Sequence, residues 1–334
     1  MVQSHERRSI SVVTPVYNGE ASVGELCRRL AEVLPRVTKE YEIILVNDGS
    51  RDRSWETISE LCSRSPVVRG LNLMRNYGQH NALLCGIRAA EYELIVTLDD
   101  DLQHPPEEVP RLLARLEEGF DVVYGAPETE GNGLMRAIAS RITRVALRTT
   151  VGADVAKNVS AFRIFRTQLR EAFASYQSPF VSIDVLLTWA TTRFGAIRVP
   201  FQQRHSGSSN YTFTKLVRHA LDMMTGFSTA PLQLASLIGF TCTLLGLGVF
   251  VYVFVRYCLE GSMPGFPFLA SIIAIFSGAQ LFALGVIGEY LARMHFRTMD
   301  RPTYAVRQTT RPAHGALSNA ALSHVEKETE AVEA

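Results

Sequence analysis

Apolar and polar positions follow two patterns along this chain, and each predicts a different kind of element. The N-terminal half carries short, nearly unbroken apolar runs: Ile10 to Val13, Tyr41 to Val46, Val67 to Leu73, Leu94 to Leu98 and Asp121 to Tyr124. Such runs read as strands buried on both faces. The first is expected to stop at Pro15. The second runs into Asn47-Asp48-Gly49-Ser50, and the fourth delivers Asp99, Asp100 and Asp101. Between them, Ala21 to Leu34, Trp55 to Cys62, Asn81 to Ala90 and Pro106 to Glu118 space their apolar residues as helices do. The alternation predicts an α/β domain with a mostly parallel sheet and helices on both faces. Ligands of such sheets bind outside the carboxyl ends of strands. Polar chemistry is therefore expected at Thr14 to Asn18, Asn47 to Ser50 and Asp99 to Gln103. Gly125 to Gly133 reads as a loop, followed by a basic helix with Arg136, Arg141, Arg144 and Arg148.

The second pattern is continuous. Leu232–Val255 and Phe266–Gly288 are long uncharged runs, and at about 1.5 Å per residue each can cross a hydrocarbon core of about 30 Å. A buried core helix is the alternative, weakened because two such runs are joined only by a short Gly/Pro segment. Ahead of them, Asn210 to Phe227 places Phe213, Leu216, Val217, Leu221 and Met224 on one helical face, with Lys215 and Arg218 elsewhere. This predicts a helix lying in the membrane interface. Lys215 and Arg218 precede the first run, and Arg293, Arg297 and Arg301 flank the end of the second. That bias places both flanks and the soluble domain on the cytoplasmic side. From about Thr309 the chain is rich in Ala, Ser, Thr and Glu, and is expected to be disordered. The predicted division is a catalytic domain at 1–205, an acceptor loop and interfacial helix at 206–230, two spans within 231–295 (about 232–258 and 266–290) and a cytoplasmic segment at 296–334.

Charge and cysteine content narrow the picture. A net charge of +1 over 334 residues gives no reason to expect nucleic-acid binding. The five cysteines are odd in number and form no C-x-x-C pair, so they read as buried thiols of a reducing compartment. Met1 to Ser9 contains no apolar stretch, and no cleaved signal peptide is expected.

Asp99, Asp101 and Gln103 alternate, and in extended chain they would project to one side. Hard cations such as Mg²⁺ or Mn²⁺ take oxygen ligands of this kind and share them with substrate phosphates. A solvated turn capping the helix at Pro105-Pro106-Glu107-Glu108 is the plain alternative. Asp48 suits a base or ribose, or an ordinary Asx turn. Arg75 suits a phosphate or base, whereas His80 reads as a polar helix-start residue. Arg163 and Arg204 suit bidentate phosphate binding. Arg204 opens a small polar loop through Tyr211, where a lipid head group would arrive; a plain linker is the alternative. No G-x-G-x-x-G, G-x-x-x-x-G-K-[ST] or G-x-S-x-G is present, so dehydrogenase, P-loop and serine-hydrolase functions lack their signatures.

Several segments carry a resemblance. They are Thr14-Pro15-Val16-Tyr17-Asn18, Asn47-Asp48-Gly49-Ser50-Arg51-Asp52, Asn76-Tyr77-Gly78-Gln79-His80, Asp99-x-Asp101-Leu102-Gln103-His104-Pro105-Pro106-Glu107, Phe162-Arg163, Gly207-x-Ser209-Asn210-Tyr211, Gly288-Glu289-Tyr290 and Arg301-Pro302-x-Tyr304. Over residues 9–306 the chain resembles glycosyltransferase family 2 with the GT-A fold. Within it, the chain is similar to the polyprenyl-phosphate glycosyltransferases: dolichol-phosphate mannose synthase and the bacterial undecaprenyl-phosphate sugar transferases. The Asn76–His80 run and the C-terminal pair look most similar to the type that moves 4-deoxy-4-formamido-L-arabinose.

The resemblance implies inverting, metal-dependent transfer of one sugar from a nucleotide-diphosphate donor, UDP-linked, to polyprenyl (undecaprenyl) phosphate. The place would be the cytoplasmic face of a bacterial inner membrane, in cell-envelope glycan or lipid A modification. It implies that Pro15, Tyr17, Asn18, Asp48, Arg75, Asp99 and Asp100 line the nucleotide-sugar site, and that Asp99, Asp101 and Gln103 hold Mg²⁺ or Mn²⁺. Arg163, Arg204 and Ser209 would face the acceptor phosphate, and Asp101, Arg163 and Arg204 would be the catalytic set. A homo-oligomer is expected. Two other functions stay open at this point. A processive polysaccharide synthase should carry more spans and a Gln-x-x-Arg-Trp motif, which surrounds neither Trp55 nor Trp189. A non-catalytic nucleotide-sugar-binding scaffold is separable only by activity.

Overall fold

The computed structural model describes residues 8–128, 158–178, 180–201, 230–260, 265–299 and 302–310. The strands are β1 (Ile10–Val16), β2 (Tyr41–Asn47), β3 (Val68–Leu73), β4 (Leu94–Thr97), β5 (Val122–Pro127), β6 (Arg163–Arg166), β7 (Phe194–Val199) and β8 (Val306–Thr310). They form one sheet in the order β7-β5-β6-β4-β1-β2-β3-β8. β1 pairs in parallel with β2 and β4, β2 with β3, and β5 with β7. β6 runs antiparallel to both β4 and β5, and β8 antiparallel to β3. The α/β class is as expected, and the sheet is mixed.

Alternate residues of the inner strands feed two separate cores, as the two-residue period of a pleated strand requires. Val12, Ile43, Leu45, Val96, Val123 and Ile164 pack with α1 (Val23–Val33), α2 (Ser54–Arg64) and α4 (Val109–Glu117). Val13, Ile44, Val46, Ile95, Val122 and Phe165 pack with α3 (Gln79–Ala89) and α5 (Ile183–Ala190). Every residue of β1 is buried. With helices on both faces the strands carry apolar residues at successive positions, and the sequence shows them as unbroken runs.

Some boundaries differ from expectation. β1 continues through Pro15 to Val16. Leu98 N–H donates to the Val13 carbonyl, and the β4 ladder ends at Val13 opposite Thr97. Pro15 therefore turns its ring nitrogen to a side already free of ladder bonds, where a missing N–H costs nothing. β5 extends to Pro127, so the expected loop does not begin at Gly125. β8 includes Thr309 and Thr310, where disorder was expected: pairing with β3 orders this polar strand. The disorder expected beyond residue 310 and the basic helix expected around Arg136–Arg148 lie outside the described residues.

Two long helices follow, α6 (Ala230–Glu260, 31 residues) and α7 (Phe266–Thr298, 33 residues). Pro231–Leu259 and Ile275–Ala292 are long and apolar enough to cross a membrane, and neither stretch is buried inside the protein. Leu237, Phe240, Leu247, Phe250, Ile273 and Leu281 are exposed. A helix apolar on its outer surface is suited to a hydrocarbon solvent.

Candidate active site

The carboxyl ends of β1 to β4 lie at one edge because these four strands run the same way. Glycine permits the closest approach there. Gly49 has φ +64, and a Cβ on it would stand 2.5 Å from the Arg75 carbonyl carbon and the Asn76 nitrogen. The loop after β2 thus rests directly on the loop after β3, which an L side chain would prevent. At Gly19 the close neighbour is a side chain: a Cβ would lie 2.0 Å from an Asp100 carboxylate oxygen.

Hydrogen bonds then knit the loops. Asn18, at φ 55, accepts from Arg51 N–H at 2.9 Å, and its own N–H donates to the Ser50 hydroxyl at 3.0 Å. Gly19 N–H donates to the Ser54 hydroxyl at 2.9 Å. Asp48 is buried, and its two oxygens accept from Tyr77 N–H at 2.7 Å and Gly78 N–H at 2.9 Å. Burial pushes its carboxyl up from the ordinary range, against the pull of these two N–H groups. Asp48 therefore holds the loop that presents Arg75, and the turn after β2 is braced by Asn47, whose side-chain oxygen accepts from Ser50 N–H at 3.3 Å. Arg75 lies exposed over the Tyr77 ring, 4.5 Å from its centroid. Tyr17 stands 46 % exposed beside this surface's first loop.

The carboxylate segment is a turn and not the extended chain expected. β4 ends at Thr97, Leu102 takes φ 59, and Asp101 accepts the Gln103 backbone N–H at 3.1 Å. Side-chain alternation consequently does not describe Asp99, Asp101 and Gln103. Asp99 accepts from the Gln79 side-chain amide at 2.6 Å. Asp100 is pushed up to about 7 by burial and then by the charges of Asp99 and Asp101. One of its buried oxygens has no hydrogen-bond partner. The carboxylates of Asp99 and Asp101 offer hard oxygens of the kind a divalent cation takes. Among the described residues no three His, Cys, Asp or Glu side chains gather for a metal ion. A bound cation would therefore draw further ligands from substrate phosphate and water.

Arg163, expected on the acceptor phosphate, is a buried residue, ion-paired with Asp184 and donating from Nε to the Thr97 hydroxyl at 3.1 Å. Arg204 and Ser209 lie outside the described residues, as does the expected interfacial helix at 210–227. His80 sits in the first turn of α3, where its Nδ1 accepts the Ile183 N–H at 3.4 Å.

Sequence reasoning missed Gln79, Thr97, Tyr124 and Asp184. A signal existed for the last: Asp184 is a lone carboxylate in Val181-Ser182-Ile183-Asp184-Val185-Leu186-Leu187. A charge inside an apolar segment needs a buried partner.

Comparison with known proteins supplies the context. The model for "Glycosyl transferase family 2" matches residues 11–174, which contain the β1 to β4 loops. The undecaprenyl-phosphate 4-deoxy-4-formamido-L-arabinose transferases of Pseudomonas paraeruginosa (strain DSM 24068 / PA7) and Pseudomonas aeruginosa (strain LESB58) are each 35% identical over 315 residues, covering 93% of this chain and 93% of theirs. Among solved structures, glucosyl-3-phosphoglycerate synthase from Mycobacterium tuberculosis, crystallised with Mn²⁺, UDP-glucose and phosphoglyceric acid, shares the fold at TM-score 0.50 and 19% identity. It covers 65% of this chain and 78% of that one. The protein is a glycosyltransferase of GT-A-like fold, and the chain belongs to glycosyl transferase family 2.

Proposed function

We propose that the protein transfers a single sugar from a nucleotide-diphosphate donor to a polyprenyl phosphate, with inversion, at the cytoplasmic face of a bacterial inner membrane. The observation that carries this is the span of the alignment. Similarity to transferases named for undecaprenyl phosphate covers 93% of the chain, so it takes in the catalytic sheet and both membrane-length helices together. A UDP-linked donor is assigned from the resemblance to the bacterial undecaprenyl-phosphate sugar transferases.

In this scheme Tyr17 and the Arg75–Tyr77 pair offer aromatic and cationic surface to the nucleotide, while Asp48 fixes the loop that bears Arg75. Asp99, Asp101 and Gln103 would hold Mg²⁺ or Mn²⁺, which when bound neutralises charge on the leaving diphosphate. An acceptor phosphate is already ionised near neutral pH, so attack needs no strong general base from the chain. Arg204 and Ser209 are assigned to orient that phosphate through paired hydrogen bonds.

Incubating membranes that contain the protein with a panel of radiolabelled nucleotide sugars, then extracting lipid, tests the proposal. Label is expected in the lipid phase, increasing with added polyprenyl phosphate. Label confined to an insoluble polymer would establish a processive synthase instead, and retention of bound donor without any product would establish a binding scaffold.

A further inference from the structure

Because β6 runs against its neighbours, its first residue lies opposite the last residue of β4 and beside the middle of β5. Arg163 is in register with Thr97 on one side and Tyr124 on the other. Its guanidinium pairs with Asp184, and the Tyr124 hydroxyl donates to the same carboxylate at 3.0 Å. Asp184 is 5 % exposed and stands in the first turn of α5, where a helix dipole favours an anion.

A buried ion pair is a weak source of stability, because desolvation offsets most of the attraction and apolar residues of similar volume serve as well or better. The contacts of this pair point to a different use. Thr97 precedes Asp99 by two positions. Its hydroxyl accepts from Arg163 Nε and donates to the Ala161 carbonyl at 2.8 Å. One residue earlier, the Ser160 hydroxyl lies 3.3 Å from Nε2 of His104, at the far end of the carboxylate turn. The guanidinium thus joins the root of the Asp99–Asp101 turn to the segment that flanks it, and Asp184 holds the guanidinium.

We propose that Asp184 and Arg163 are positioning residues for sugar transfer: acting through Thr97, they set the Asp99–Asp101 turn without touching either substrate. This rests on the transfer reaction proposed above. Two full-length variants test it, Asp184→Asn and the triple exchange Arg163→Met/Asp184→Leu/Tyr124→Phe, which replaces the network by apolar groups. Both are compared with wild type by thermal melting and by kcat and KM for each substrate.

Folded variants whose kcat falls about a hundredfold, as a misplacement near 1 Å would cause, with both KM values nearly unchanged, are expected. Wild-type kcat in either folded variant overturns the assignment. A raised acceptor KM in the triple variant, with a lowered one in Asp184→Asn as the arginine is released, also overturns it by showing that Arg163 grips phosphate directly. Should the triple variant fail to fold, Asp184→Asn decides alone. A wild-type protein that transfers no sugar overturns the reaction itself, whereas variants matching an active wild type overturn only the positioning role.

Discussion

Asp101 combines two tasks at one carboxylate. One oxygen closes the turn by accepting the Gln103 N–H, and the charge is assigned to the cation. Asn preserves the first task, since its side-chain oxygen accepts the same bond, and removes the second. Asp101→Asn is therefore expected to leave the melting temperature nearly unchanged while sugar transfer falls by about a hundredfold or more. A chelator should abolish wild-type transfer, with recovery on adding Mg²⁺ or Mn²⁺. Undiminished transfer in excess chelator would refute the cation assignment.

Among the elements, the junction of β5, β6 and β7 is held by Asp121. It accepts from Arg193 at 2.9 and 3.0 Å and from the Thr191 hydroxyl at 2.6 Å, with Arg166 at 3.4 Å. Burial raises its carboxyl, but the bonds from Arg193 and Thr191 outweigh burial and hold it below the usual range. A depressed folded pKa contributes stability that is fully present above the unfolded value, about 3.9, and is lost as pH falls through the folded one. Asp121→Asn should cost roughly 1–3 kcal/mol at neutral pH, and the gap between variant and wild type should close in urea titrations below about pH 4. A gap that stays constant with pH would show that the charge is unimportant.

The same elements show what the chain discloses by pattern alone. β1 to β4 were legible because each is an apolar run, and the Asp99–Asp101 cluster was legible because it interrupts one. β6 was not: Arg163 and Arg166 bracket only Ile164 and Phe165, too short a run to register. β8 is largely polar, Val-Arg-Gln-Thr-Thr, and becomes a strand only by lying against β3. Asp184 meets Arg163 across 21 positions, a meeting decided by β6 reversing direction within the sheet, which no local pattern encodes.

At the scale of the whole molecule, α6 and α7 are joined by the short 261–265 connection, so the two helices make a hairpin. The Lys/Arg bias of its flanks predicts an outward-facing tip. In a variant whose five native cysteines are replaced, a cysteine introduced as Ser262→Cys should react with an impermeant thiol reagent on cells whose inner membrane is intact. Labelling only after that membrane is breached would invert the topology.

The hairpin also separates β3 from the strand that completes it. Gly70 and Thr310 are hydrogen-bonded across 240 positions of sequence, with both long helices between them. At about 5–20 residues per second of synthesis, β3 waits on the order of tens of seconds for its partner. Throughout that interval its edge offers unpaired backbone groups to any neighbouring chain. Assembly therefore has an enforced order: the catalytic sheet cannot be closed until the membrane hairpin has been made. A nascent protein stalled or cut within the hairpin would carry its substrate loops complete and its sheet still open, adhesive to other chains at the very edge the finished protein conceals.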